Sequence, residues 1–201
     1  MARAPSVTVS QHAAWLVVLL LAAGCSTTAQ PPDAAASNAT LSLSGYEDAG
    51  NASAVERRTF WDRSKSWEDP GNRTARVASR THAYRNTSGA DSVVVYTTPA
   101  RRYVGEDRIR SLSALALAEL ATRSVGAPPL GNASGPTYRA SLLDDDVTVR
   151  TVTDGGETTA HVARVVRDDV IVVVVVAGAD RATVERVLGG VTLSRGLGAS
   201  G

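Results

Sequence analysis

Beyond the N-terminal region, the side chains best suited to catalysis are two histidines, His82 and His161, and the acidic run Asp144–Asp146. The acids together with His161 would suit a surface-anchored hydrolase or a metal-dependent enzyme. Zinc sites often draw on closely spaced histidines such as His-x3-His, and calcium loops alternate acids around a central glycine; neither pattern occurs. No nucleophile elbow or phosphate loop is found either. We therefore expect turn-forming acids, solvent-facing strand histidines, no metal and no cofactor, with an enzyme as the alternative.

The only cysteine, Cys25, ends an eleven-residue apolar run, Ala13–Ala23, that follows Arg3. A membrane-spanning helix needs about 20 apolar residues, so this run instead has the length typical of a secretory signal peptide. With the small residues Ala22–Gly24 before the cysteine, it resembles the lipobox of prokaryotic lipoproteins. We expect a signal peptide over residues 1–24 and a lipid on Cys25 that attaches the protein to the extracellular face of the cell membrane. The alternative is an ordinary signal peptide whose cysteine is removed or carries nothing.

All asparagines of the chain open an Asn-x-Ser/Thr triplet, the acceptor pattern for N-glycosylation. The five candidates are Asn38, Asn51, Asn72, Asn86 and Asn132. Together with the lipobox they predict an archaeal surface glycoprotein. The alternative is that turn-forming asparagines simply stand beside turn-forming serines and threonines.

One segment concentrates the residue types that dominate binding interfaces. Trp61, Arg63 and Trp67 stand close together after Phe60, and tryptophan and arginine contribute most to interface energies. A partner protein, a glycan or the membrane headgroups would suit this segment. The alternative is that Phe60 and Trp61 cover one face of a sheet as core residues. Nucleic acid is not an expected partner, because a formal net charge of +1 provides no concentrated basic face.

The first half of the chain alternates short strands with one helix. Residues 25–40 are predicted to form a disordered tether, because prolines and small polar residues leave little apolar surface to bury. A short strand is predicted over 41–43, paired strands over 76–84 and 92–98, and a helix over 107–125, where apolar residues recur at helical spacing.

The second half reads as a meander of strands followed by a helix. Strands are predicted over 147–152 and 158–167, a helix over 181–188 with Asp180 as its N-cap, and a short edge strand over 191–193. The run Val170–Val176 contains only β-branched residues, so we expect a central strand covered on both faces.

These elements predict the α+β class: an antiparallel β-sheet, made of a hairpin plus a C-terminal meander, packed against two or three helices. The sequence predicts a single domain over residues 41–195, followed by a flexible tail over 196–201.

Several blocks of core residues resemble a family of haloarchaeal lipoproteins of unknown function, a DUF-type family. The blocks are Val93–Pro99, His161–Val165, the start at Gly45-Tyr46 and the closing helix Val184–Gly189. The order of elements is also similar to the Mog1/PsbP-like α+β fold of some lipoproteins. Neither resemblance implies catalytic residues. The expected function is that of a lipid-anchored extracytoplasmic protein with a non-catalytic binding or envelope-structural role.

Overall fold

The computed structural model describes residues 37–61, 72–89, 91–100, 113–131, 133–167 and 170–195. These residues belong to one compact unit with nine β-strands and two α-helices. In chain order the elements are β1 (Ser37–Leu41), β2 (Tyr46–Trp61), β3 (Asn72–Asn86), β4 (Ser92–Pro99), α1 (Ala114–Ser124), β5 (Ala133–Leu142), β6 (Asp145–Asp154), β7 (Glu157–Arg167), β8 (Val170–Ala177), α2 (Arg181–Gly189) and β9 (Val191–Arg195). The predicted signal peptide, Cys25 and the predicted tail lie outside the described residues.

Seven strands form one antiparallel sheet in the order β2-β3-β4-β8-β7-β6-β5. The valine-rich strand β8 therefore lies in the middle, as its sequence predicts. Every residue from Val170 to Val176 is at most 4% exposed. Such a strand needs apolar cover on both faces, because β-branched side chains alternate between the two sides of a sheet.

The two faces of the sheet are covered by different elements. One face packs against α1, which buries Leu117, Ala118 and Ala121 against the odd-numbered residues of β8. The other face packs against α2 and against a separate two-stranded sheet of β1 and β9. The fold is α+β with a mostly antiparallel sheet and two helices among the described residues, which confirms the predicted class.

Both helices begin after a polar N-cap residue. Asp180 is the N-cap of α2 as predicted, and its Oδ1 accepts a hydrogen bond of 2.8 Å from the backbone amide of Thr183. Ser113 has the same role for α1 and accepts from the amide of Ala116 at 3.2 Å. In both cases the side chain satisfies an amide that the first helical turn leaves without a partner.

Four strands differ from the predictions. The first strand begins at Ser37, so residues 37–40 of the predicted tether belong to β1, where Ala39 and Leu41 are buried against the sheet. Strands β2 and β5 were not predicted, because both are edge strands with few apolar residues and no clear alternation. The predicted strand over 191–193 exists as β9, but it pairs with β1 instead of extending the large sheet.

Candidate functional site

Within the described part of the chain, the hairpin of β2 and β3 extends past the end of the neighbouring strand β4. Its two strands pair from Tyr46 and Asn86 at one end to Trp61 and Asn72 at the other. The β3–β4 ladder reaches only Arg80, opposite Thr97. Since β4 ends at Pro99, two residues further on, β3 continues for six residues past that level, or about 20 Å. We call residues 55–61 and 72–78 the arm.

The predicted binding segment lies at the end of the arm. The backbone of Trp61 pairs with Asn72, the last pair of the hairpin. Arg63 and Trp67 belong to the ten residues that join the two strands and lie outside the described residues. The register places the backbone of Phe60 and Trp61 beyond the end of β4.

A cluster of buried hydroxyl groups lies where the arm leaves the sheet. Ser79 Oγ is 2.9 Å from Thr98 Oγ1 and accepts a hydrogen bond of 3.1 Å from the hydroxyl of Tyr96. Ser124 of α1 donates to Thr81 Oγ1 at 2.7 Å. Ser79, Thr81 and Thr98 are at most 2% exposed. These bonds satisfy buried hydroxyl groups that water does not reach. Their partners join β3 to β4 and to α1 at the base of the arm.

Strand β1 crosses the face of the sheet opposite α1 and runs in the same direction as β3. Asn38 Oδ1 is 2.9 Å from His82 Nε2, and the amide of Leu41 donates to the hydroxyl of Tyr84 at 3.1 Å. Residue numbers therefore rise together along the two strands. The N-terminal end of β1, at Ser37, therefore points toward the low-numbered end of β3, where the arm lies.

His161 is a buried structural residue, which corrects the prediction that it faces solvent. Its side chain is 6% exposed; Nε2 lies 3.2 Å from the carbonyl oxygen of Ala179, and Nδ1 lies 3.2 Å from the hydroxyl of Tyr138. A carbonyl only accepts, so Nε2 donates and Nδ1 accepts from Tyr138. Burial lowers the pKa of His161 below its usual value, against the opposing effect of the Ala179 carbonyl. The imidazole therefore links β7, β5 and the start of α2.

His82 is also less exposed than predicted. The imidazole is half-buried under β1 and stacks on the ring of Tyr84 with a centroid distance of 6.3 Å. Burial lowers its pKa, whereas the charge of Asp48 opposes that shift.

The structure does not bring Asp144–Asp146 and His161 together. On β6, the residue paired with His161 is Thr151, six positions beyond Asp145 and so about 20 Å along the strand. The acids lie at the β5–β6 turn, where Asp144 has a positive φ of 65° and its exposed carboxylate is 3.7 Å from Arg167. Among the described residues, no group of three metal-ligating side chains is found.

A cleft of about 410 Å³ opens beside this turn. It lies between the β5–β6 turn, the end of β7 and the α2–β9 connection, and its polar lining includes Ser141, Asp144, Arg167 and Thr192. Neither His82 nor His161, the histidines within the described residues, lines this cleft.

Sequence reasoning missed a buried carboxylate near the first residue of β2. Asp91 is 7% exposed and accepts hydrogen bonds from the hydroxyl of Tyr46 and from Nδ2 of Asn86, the latter at 2.6 Å. Burial, and then the Asp91 carboxylate, raise the pKa of Tyr46 to about 12. The sequence signal was weak, because an aspartate after an Asn-Thr-Ser-Gly turn is ordinary turn composition.

The described sequons differ in how accessible their amides are. The amide of Asn38 contacts His82, and that of Asn86 donates to Asp91. Asn51 is exposed on the edge strand β2. The backbone of Asn72 ends the arm, and Asn132 lies outside the described residues.

No family model, no curated protein and no solved structure matches this chain. The resemblances to haloarchaeal lipoproteins and to the Mog1/PsbP-like fold therefore stay predictions. In the part of the chain that the structure describes, no helix combines the length and the apolar character that a membrane crossing requires.

Proposed function

We propose that this protein is a lipid-anchored, non-catalytic binding protein of the extracytoplasmic membrane face. The anchor is a lipid on Cys25, exposed by cleavage of residues 1–24. Because β1 begins at Ser37, residues 26–36 connect the anchor to the folded domain. The observation that carries the proposal is the direction of β1, whose N-terminal end at Ser37 points toward the end of β3 where the arm lies.

The arm is the binding element of this proposal. It extends about 20 Å past β4, and its base is held by the buried hydroxyl cluster. Trp61 ends the arm, with Arg63 and Trp67 following in the sequence, and these residue types contribute most to binding energy. A projecting hairpin with such a sequence at its end suits contact with a partner protein, a glycan or a membrane.

The geometry of the described residues gives the competing enzyme hypothesis no support. Both ring nitrogens of His161 are engaged, and the acids proposed to act with it lie about 20 Å along the strand. A general base must instead lie within hydrogen-bond reach of the proton that it removes. We therefore assign His161 a structural role and Asp144–Asp146 to the turn.

Fractionation of cells that express the full chain tests this function. The parent protein should lose its signal peptide and sediment with membranes. The variant Cys25→Ser should either be released or keep the signal peptide, because the thiol that accepts the lipid is gone. Ser26→Ala is the matched control and should behave like the parent. If the parent keeps its signal peptide and sediments exactly as Cys25→Ser does, the anchor is not a lipid on Cys25.

A further inference from the structure

We propose that the outer edge of β9 is a binding site for an extended, uncharged peptide, which adds to β9 as a third strand and lies in the cleft beside the β5–β6 turn. The site is separate from the arm and does not depend on the proposed lipid anchor. Three observations carry it: the backbone groups that β9 turns away from β1, the cleft that opens beside them, and the lack of protection of this edge.

The register of β1 and β9 shows which backbone groups of β9 point outward. Leu41 lies opposite Val191. The next pair along the ladder is hydrogen-bonded, since the amide of Ser42 donates to the carbonyl oxygen of Gly190 at 2.8 Å. Hydrogen-bonded pairs alternate with non-bonded pairs in an antiparallel ladder. The pairs that contain Val191 and Leu193 are therefore non-bonded, and the amides and carbonyls of these two residues point away from β1.

The two edges of this small sheet differ in how their outward groups are satisfied. On the β1 edge, the amides of Ala39 and Leu41 donate to side chains of the large sheet at 3.0 and 3.1 Å. On the other edge, β9 has no neighbouring strand except β1 in the described part of the chain, and the amides of Val191 and Leu193 bond to no other described residue. These outward groups repeat about every 7 Å, which is the spacing that another strand presents.

The cleft of about 410 Å³ lies on this side of β9. Its lining includes Val191, Thr192 and Leu193 of β9 but no residue of β1. Leu143 of the β5–β6 turn and Arg167 at the end of β7 belong to the opposite wall. One added strand needs about 5 Å beside β9, whereas a second folded copy would bring the layer beneath its own β9 against that wall. A single extended peptide therefore fits this cleft better than a second copy of the chain.

The lining of the cleft favours a peptide without charge. Its charged residues are Asp144 and Arg167, whose side chains lie 3.7 Å apart and offset each other. Leu143 and Leu193 are partly buried and pack against the core. Apolar side chains at every second position of the peptide would extend this contact, because alternate residues of a strand share one face. Backbone bonds to β9 would supply affinity, and the alternate side chains would supply selectivity.

The edge of β9 lacks two devices that protect the edges of the large sheet. Prolines and bulges on edge strands prevent pairing with other chains. Strand β5 contains Pro136 within an irregular register, and β2 has a register shift between Asp48 and Gly50. Strand β9 pairs with β1 in continuous register, and it contains no proline and no charged residue before Arg195.

Peptide binding to the purified full chain tests the site. The probe is a pooled library of fluorescent peptides of about eight residues, a common strand length, in which valine, leucine or isoleucine alternates with serine, threonine or glutamine. The tightest binders are then synthesised singly. We expect saturable binding, and slower hydrogen exchange at the amides of Val191 and Leu193 when the peptide is bound.

Methylated peptides show whether backbone bonds hold the peptide. Each binder is made in two forms, with one or the other alternate set of its amides N-methylated. Only one set can face β9. Methylation of that set should weaken binding about tenfold or more, the effect of roughly one lost hydrogen bond, and methylation of the other set should have little effect.

A matched pair of variants removes the corresponding donor from the protein. Leu193→Pro deletes the outward amide and leaves the bonds between β1 and β9 in place, because the pair that contains Leu193 is non-bonded. Leu193→Val changes the side chain but keeps the amide. We expect Leu193→Pro to bind the peptide about tenfold more weakly than Leu193→Val. Urea unfolding shows whether both variants fold, and if Leu193→Pro does not, the methylated peptides decide.

Several results would overturn the peptide site. They are a library without any binder, equal binding of the two methylated forms, and equal binding by folded Leu193→Pro and Leu193→Val. Slower exchange at Val191 that depends on protein concentration alone would assign the edge to a second copy and would also overturn it. None of these results bears on Cys25, so the proposed anchor stands or fails separately.

Discussion

Replacement of His161 by alanine should destabilise the domain strongly, because the buried imidazole holds three elements together. The change removes two hydrogen bonds, to Ala179 and Tyr138, each contributing about 1 kcal/mol, and it leaves a cavity where the buried ring was. A large-to-small change in a core adds a further 1–2 kcal/mol, about half of the usual total for such changes. We therefore expect a loss of about 3–4 kcal/mol in the free energy of unfolding.

Urea unfolding of the full chain at neutral pH measures this loss, and His82→Ala is the matched control. His82 is half-buried, and its described side-chain hydrogen bond is the one to Asn38, one bond fewer than His161 makes, so its replacement should cost about 1 kcal/mol. A loss below about 1 kcal/mol for His161→Ala would refute the structural role assigned to the buried imidazole.

The pH dependence of the same variant gives a second check. Burial lowers the pKa of His161 in the folded state, so below about pH 6.5 the unfolded chain binds a proton more readily than the folded one. As the pH falls below about 6.5, the wild-type domain should lose the stability that comes from keeping the His161 imidazole neutral. His161→Ala lacks the group, so the stability difference between the two proteins should shrink on acidification. A difference that stays constant between pH 7.5 and pH 5.5 contradicts the assignment.

Two further predictions concern the carboxylate near β2 and the sequons. Tyr46→Phe should cost about 1.5–3 kcal/mol in urea unfolding, because a buried carboxylate loses a hydrogen-bond donor; a cost near zero would show that Asp91 does not depend on the hydroxyl. If the protein is glycosylated after folding, glycopeptide mapping should find Asn51 occupied more often than Asn38 or Asn86, whose amides are engaged. Equal occupancy at all three would contradict this order.

The sequence predicts the parts of the fold that are set by strong local patterns. Seven consecutive β-branched residues place β8 at the centre of a sheet, because only a central strand is covered on both faces. Asp180 predicts the start of α2 because its side chain bonds an amide of the first turn. These signals depend on neighbours in the chain and are visible without a structure.

The edge strands and the burial of the histidines are not predicted, for a physical reason. Edge strands such as β2 have polar residues on both sides, so hydrophobic alternation does not mark them. His161 is buried because β5 and the start of α2 meet over it, and this contact joins residues 18 and 23 positions away. Local patterns carry no information about such contacts.

The candidate binding site likewise combines a local sequence signal with features that depend on contacts between distant residues. The composition of residues 60–67 singles out Trp61 in the sequence, since tryptophan and arginine are enriched among the residues that contribute most to interface energies. That the segment ends a projecting hairpin follows from the length of the β3–β4 ladder, which depends on pairing between strands. The direction of β1 likewise depends on its contacts with His82 and Tyr84.

The N-terminal peptide of the mature protein, purified from membranes and analysed by mass spectrometry, tests the central claim most directly. The account predicts a peptide that begins at Cys25 and is heavier than its amino-acid sequence by the mass of a lipid. A peptide that begins elsewhere, or a Cys25 without added mass, would contradict the lipid anchor.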